Sequence, residues 1–337
     1  MKPDPSLQMS RRAWVELSLL SLLWGGSFFS IAIALREIGP FWAVFHRVFW
    51  ATLLLWAIVW WRGYRVPCGP RTWAAFIMMG CLNNVIPFTL MSWGQTHIES
   101  GLVSVLNATT AIFGVLVAAV FFRDERLNLR RLSGVCLGVF GVALISGIDG
   151  LVSFDPRALG QIAVLCGALS YALASAWAKL TLRNLSPIVA ASGMLTSSTL
   201  MMLPLAWSVE GAPRLALSGE TWLAIAYFSI FATALAYLLY YRVLAMAGAG
   251  NLMLCTLLIP PVALLLGWMF LGERLTPQVC GGFGAIALGL AVIDGRLMTR
   301  VRPSIMMIRR PSASVQEPAG SAELPSRARR SAPRNTE

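Results

Sequence analysis

The stretch PFWAVFHRVFW, residues 40 to 50, sets His46 and Arg47 side by side in a run from Pro40 to Trp61 whose only other polar residue is Thr52. A guanidinium can hold a carboxylate through two parallel N–H bonds, which is chemistry of recognition rather than catalysis. An arginine in so apolar a run costs about 2.5 to 3.5 kcal/mol on membrane-insertion scales, so something compensates it. Two readings stand side by side. Arg47 either lines a water-filled cavity and meets a ligand, or it bonds helix-end carbonyls and snorkels toward headgroups, with His46 interfacial.

Other candidates are neutral. Asn83 and Asn84 stand just before Pro87, and Asn107, Thr109 and Thr110 share a later run. Such groups line a polar cavity or simply pack helices together by hydrogen bonds. Trp24, Trp177 and Tyr237 can wall a pocket, whereas Tyr240 and Tyr241 read as an interfacial belt. Pro87 and the pair Pro260-Pro261 are hinge candidates, because a proline within a helix leaves a carbonyl free for a ligand or water.

The elements that must position these residues follow from composition. At 57% apolar and 12% charged, the chain has too little polarity to cover a soluble globule of 337 residues. Apolar runs long enough to cross a bilayer recur ten times, and bare backbone is excluded from lipid, so the fold class is all-α integral membrane with ten helices. The spans read Trp14 to Leu35, Pro40 to Trp61, Thr72 to Trp93, Gly101 to Phe122, Leu132 to Ile148, Ala158 to Ala178, Pro187 to Trp207, Thr221 to Tyr241, Ala249 to Leu271 and Val279 to Ile293. The run after Arg11-Arg12 is too long for a cleavable signal and is expected to stay.

Of 27 Lys and Arg residues, all but Arg36, Arg47, Arg157, Arg214 and Arg274 fall before the first span, in alternate loops or after the last span. By the positive-inside rule both termini are cytoplasmic. The net charge of +12 is thus a topology signal and not a nucleic-acid footprint. The tail, residues 297–337, is rich in Arg, Ser and Pro and reads as disordered; its Arg309-Arg310 and Arg327 to Arg330 clusters suit anionic lipid headgroups. The six cysteines form no CxxC pair and read as reduced packing residues.

Two segments, FFRDERLNLRRLSGVCLGVFGVALI from Phe121 and FLGERLTPQVCGGFGAIALGLAVI from Phe270, superpose at an offset of 148. Glu125 falls on Glu273, Leu127 on Leu275, Gly134 on Gly282 and Gly141 on Gly289. Close offsets pair Pro40 with Pro187 and Thr72-Trp73 with Thr221-Trp222. The units are residues 14–148 and 158–293, five spans each. Five is odd, so the copies are inverted about an axis in the membrane plane, the geometry of alternating access.

The paired ERL motifs (Glu125-Arg126-Leu127 and Glu273-Arg274-Leu275), WGGSF at Trp24 to Phe28 and an Arg following Pro40 resemble the EamA family of the drug/metabolite transporter superfamily, over residues 14 to 294. The resemblance implies a ten-helix transporter and leaves the substrate open. It departs in the fourth span, where Ala111-Ile112 stands in place of the proline matched by Pro260-Pro261 in the ninth. The hinge there is weaker or is supplied by Thr109 and Thr110 bonding back to carbonyls. Met194 occupies the place of Arg47 in the second copy, so any binding role of Arg47 is asymmetric.

No carboxylate lies at mid-membrane depth, which disfavours proton-coupled efflux of organic cations. With only His46 and His97 as histidines, and without HExxH, GxSxG or a Walker lysine, an enzyme and an ATP-driven pump are both disfavoured; no metal or cofactor is expected. The expectation is a secondary-active exporter of small metabolites, foremost amino acids or related zwitterionic or anionic compounds, in the inner (plasma) membrane. A flippase for a lipid-linked or amphipathic substrate and a non-transporting scaffold are the alternatives. The expected partners are a small-molecule substrate and the lipid bilayer; oligomeric state is not legible.

Overall fold

The computed structural model describes residues 9–122, 127–146, 155–182, 185–252 and 254–294, with no side chain for 249 and 250. Glu125, Arg126 and the basic tail therefore lie outside the described residues. Within them the chain is all-helical. Nine helices are long and apolar enough to cross a membrane: α1 (Arg11–Ala34), α2 (Pro40–Trp61), α3 (Pro70–Gln95), α4 (Ser100–Phe121), α5 (Leu129–Ser146), α6 (Pro156–Thr181), α7 (Pro187–Glu210), α8 (Gly219–Gly248) and α10 (Pro277–Asp294). A shorter apolar helix, α9 (Cys255–Leu271), lies between α8 and α10.

Local chemistry explains the helix starts. Proline, pre-set to helical φ and lacking an N–H that would go unpaired, opens α2, α3, α6 and α7. Hydroxyl or carboxylate caps from Ser10, Asp155 and Ser218 accept N–H bonds at the starts of α1, α6 and α8. The largest departure from the sequence reading is α8, which continues past Tyr241 to Gly248, where φ is +75°. Arg242, expected in the loop after the eighth span, stays helical and pairs with Glu16.

Symmetry shows in the packing partners. α2 packs on its counterpart α7 and α5 on its counterpart α10, while α1 packs on α8 and α9 as α6 packs on α3 and α4. Two contacts mark the axis. Thr52 and Thr199, 147 residues apart, meet hydroxyl to hydroxyl at 3.2 Å. A Cβ on Gly134 would come 2.6 Å from the Gly289 oxygen, and one on Gly141 would come 2.7 Å from that of Gly282. Since Gly134 corresponds to Gly282 and Gly141 to Gly289, this crossed seam is isologous, the mark of a two-fold, and only small residues allow backbones so close.

The regular helices are interrupted near the centre. α3 carries a π-helical segment at Cys81–Val85 and α8 one at Tyr227–Leu235, overlapping positions of the two repeats. In α3 the cause is Pro87, which cannot bond back to residue 83 and whose ring pushes that carbonyl away. α4 is broken between Asn107 and Thr110. Thr109 bonds back to the Leu106 carbonyl at 2.6 Å, as expected, but Thr110 turns to Asn107 Oδ1 at 3.3 Å. The helix of α9 runs through Pro260 and Pro261.

Candidate functional site

His46 and Arg47 part company because successive helical residues point about 100° apart. The Nδ1 of His46 accepts from Trp50 at 3.2 Å, and its ring is surrounded by Trp42, Phe45 and Trp222. Arg47 turns into the bundle and is 9% exposed. Its Nε donates to Thr233 Oγ1 at 3.0 Å, and its guanidinium carbon lies 3.9 Å from the centre of the Phe88 ring. The hydroxyl of Thr233 in turn donates to the Phe228 carbonyl five residues back, a bond of π-helical span. The irregular turn of α8 thus fixes the acceptor that orients the arginine.

No carboxylate bonds Arg47 among the described residues, and neither terminal nitrogen of its fork carries a hydrogen bond. Both terminal nitrogens retain some accessible surface, since no Arg47 atom is both enclosed and unpartnered. The phenols of Tyr171 and Tyr237 lie within electrostatic reach of the guanidinium. Tyr171 packs edge-on to Phe88 at 6.2 Å between centroids.

Tyr237, within electrostatic reach of this arginine, bonds both asparagines. Its hydroxyl accepts from Asn83 Nδ2 at 3.1 Å and donates to Asn84 Oδ1 at 3.3 Å. Asn84, fully buried, donates to Ser198 Oγ at 2.8 Å, and Asn83 also reaches Met194 Sδ at 3.5 Å. Five helices, α2, α3, α6, α7 and α8, therefore converge on one polar cluster inside an otherwise apolar bundle. Both amides lie on the π segment of α3 and turn toward partners on α7 and α8.

Other candidates stand apart. Trp24 meets Tyr240 at 5.9 Å with the rings tilted by 45°, Tyr240 meets Tyr241, and Tyr241 meets Tyr237 at 6.4 Å. The two tyrosines read as belt are thus part of an aromatic row leading to the cluster, nearly two turns inside α8. Asn107 bonds its neighbour Thr110 and no residue of the cluster. Trp177 donates to the Ala75 carbonyl at 3.2 Å and borders a cleft of about 630 Å³ with Arg71, Thr72 and Met78.

Charges missing from the centre are gathered at the end of the bundle where α2 and α4 begin. Glu210, on the last turn of α7, accepts from the N–H groups of Phe41 and Trp42 at 2.9 and 3.0 Å. Glu273 accepts from those of Ser100 and Gly101 at 2.7 and 3.0 Å. Each carboxylate seats on a helix N-terminus of the other half, where unpaired N–H groups and the dipole favour an anion. Arg157 grips Glu99 with both nitrogens, at 3.2 and 3.0 Å. Glu37 accepts from the Ser218 N–H at 2.9 Å, and the Ser218 hydroxyl and N–H hold its carboxyl below the usual range. Sequence reading marked Glu273 by its motif without its role and missed Glu210; an acidic residue closing a span beside a Gly-Pro helix start was the available signal.

Comparisons with known proteins agree with this architecture. The model of the EamA-like transporter family matches residues 14–147 and again 158–294. The chain is 24% identical over 279 residues to the Bacillus subtilis protein named uncharacterized transporter YoaV, covering 82% of this chain and 95% of that one. A probable terminal-alkyne amino-acid exporter of Streptantibioticus cattleyicolor is 25% identical over 298 residues, 88% of this chain and 97% of its own. The uncharacterized inner membrane transporter YedA of Escherichia coli is 24% identical over 304 residues, 88% and 96% of the two chains. One crystal structure aligns with a TM-score of 0.63 at 18% identity, covering 86% of this chain and 98% of that one, which speaks to fold alone. A family model that fits the chain twice over, once on each inverted five-helix half, leaves one conclusion: this protein belongs to the EamA-like transporter family.

Proposed function

We propose that this membrane transporter is a secondary-active exporter of small carboxylate-bearing metabolites, amino acids and related zwitterionic or anionic compounds, working by alternating access. One observation carries the reading. A buried arginine near the two-fold axis keeps its paired nitrogens free, oriented from behind by Thr233 and Phe88. Such a fork is built to take a carboxylate bidentately. The substrate class is supported by the relative named as a probable amino-acid exporter.

The inverted halves supply the motion: exchanging their conformations would carry the site from one side to the other. With both termini cytoplasmic, the end latched by Glu210, Glu273 and Glu99–Arg157 is the outer one, and this conformation is closed to the outside. Release then requires both helix N-termini to leave their carboxylates. Pro87 and the breaks in α3, α4 and α8 are where the helices would bend.

The test is thermal stabilisation of the purified protein by amino acids, organic acids and organic cations, with Arg47→Gln beside the wild type. The expected result is stabilisation by carboxylate-bearing compounds that disappears in a folded Arg47→Gln. Stabilisation by cations alone, or an unchanged response in the variant, would overturn it.

A further inference from the structure

The charge balance of the Arg47 cluster says more about its ligand than that it bears a carboxylate. Every carboxylate whose contacts the structure describes is engaged at a helix end: Glu16 with Arg12 and Arg242, Glu99 with Arg157, Glu220 with Arg36, Glu210 and Glu273 on helix N-termini, Glu37 on Ser218, Asp155 on its own helix. None bonds a member of the cluster. Among the described residues the site therefore holds one positive charge and no negative one.

Its unused hydrogen-bonding capacity is equally one-sided. Asn84 Oδ1 already accepts from Asn83 and Tyr237, the Tyr237 oxygen accepts from Asn83, and Thr233 Oγ1 accepts from Arg47. The donors left over are the two terminal nitrogens of Arg47 and one N–H of the Asn84 amide, whereas the Asn83 amide oxygen is a neutral acceptor and the Tyr171 hydroxyl can donate or accept. An α-ammonium bound beside its own carboxylate would sit roughly 5 to 6 Å from the guanidinium with no counter-charge, in a medium where effective dielectric constants are near 20. Like charges at that range repel strongly enough to change affinity by tenfold or more.

Building on the reading of Arg47 as the ligand's anchor, we infer that the site selects a net monoanion, a carboxylate whose amino group is absent or acylated, over the zwitterionic amino acid of the same skeleton. Binding such an anion makes the occupied centre neutral, whereas a zwitterion leaves the buried charge in place. The cost of closing the bundle around the site falls accordingly.

Matched ligand sets on the leucine, phenylalanine and serine skeletons test this with the purified full-length chain. Each set contains the free amino acid, its N-acetyl derivative, the des-amino acid and the amino-acid methyl ester. Dissociation constants come from calorimetric titration. For at least one skeleton the two anions should bind about tenfold or more tighter than the zwitterion, and the ester should not bind measurably. In Asn83→Asp, a near-isosteric change that adds a carboxylate to the cluster, that gap should close or invert.

A zwitterion that binds as tightly as the anions, with both lost in Arg47→Gln, overturns the inference and leaves the carboxylate anchor standing. An ester that binds like the acid, or no binding by any member of any set, overturns both. Should Arg47→Gln fail to fold, the wild-type ranking and Asn83→Asp decide the matter.

Discussion

The two halves of this transporter share a framework and differ in what they bring to its centre. α2 and α7 begin at Pro40 and Pro187 and meet at Thr52 and Thr199, yet five residues before that contact one half carries Arg47 and the other Met194. α3 and α8 both relax into π-helical turns, but one presents Asn83 and Asn84 and the other Thr233. Apolar packing can be repeated by symmetry at no electrostatic penalty; a second buried guanidinium beside the first could not. The framework follows the two-fold, and the polar cluster proposed to bind substrate lies where the two-fold is broken.

The sharpest way to break that comparison is at its charged pair of positions. Arg47→Met, which makes the halves alike, should lower carboxylate uptake into proteoliposomes by about 100-fold, the size of a lost buried charge pairing. Met194→Leu should change it by less than about threefold. Equal losses from both would mean that the cluster is structural.

Next come the latches, of which Glu210 also departs from symmetry. Glu210→Gln and Glu273→Gln should each lower the thermal stability of the latched form by about 1 to 2 kcal/mol, the scale of a helix N-terminal partner. Being on different helix pairs, the two losses should add in the double variant. Arg62→Ala, near the position at the end of α2 that corresponds to Glu210 in α7, should stay within about 0.5 kcal/mol. Thermal unfolding in detergent measures all three.

A smaller effect is expected at Tyr237→Phe, which removes the hydroxyl bonded to both Asn83 and Asn84 while leaving their direct bond and the Arg47 contacts in place. It should cost about 1 kcal/mol of stability and weaken ligand binding less than Arg47→Met does. Smallest is Glu37, partly exposed and held below the usual carboxylate range by Ser218. A lowered carboxyl stabilises the closed end above the ordinary range and ceases to do so as pH falls through its lowered value. A Glu37→Gln variant should therefore lose a small part of the wild type's acid sensitivity, read as melting temperature between pH 6 and pH 3.

Much of the fold was legible because its signals are local. Apolar runs, proline starts and the offset between the ERL segments are read along the chain, and they place the helices within a few residues for most spans. α8 was cut short because a charge was taken as the edge of the membrane segment, whereas Arg242 pairs with Glu16 while remaining helical. Candidate residues were legible by type but not by company. Arg47, Asn83, Asn84 and Tyr237 converge, while Asn107 turns to Thr110 instead. Spacing gives a side chain's angle on its own helix and says little about the helix it faces.

Sequence by itself determined the number of spans, their two-fold relation and the presence of one arginine without a mid-depth counter-ion. Hydropathy, chain length per span and composition are sums over neighbours, and no tertiary contact alters them. Only the tertiary structure decided that His46 faces an aromatic collar while Arg47 faces Thr233 and Phe88, that a π turn in α8 supplies its acceptor, and that Glu210 seats on the start of α2. Those outcomes depend on the azimuth of each helix, which packing between distant segments sets and which changes by about 100° with every residue.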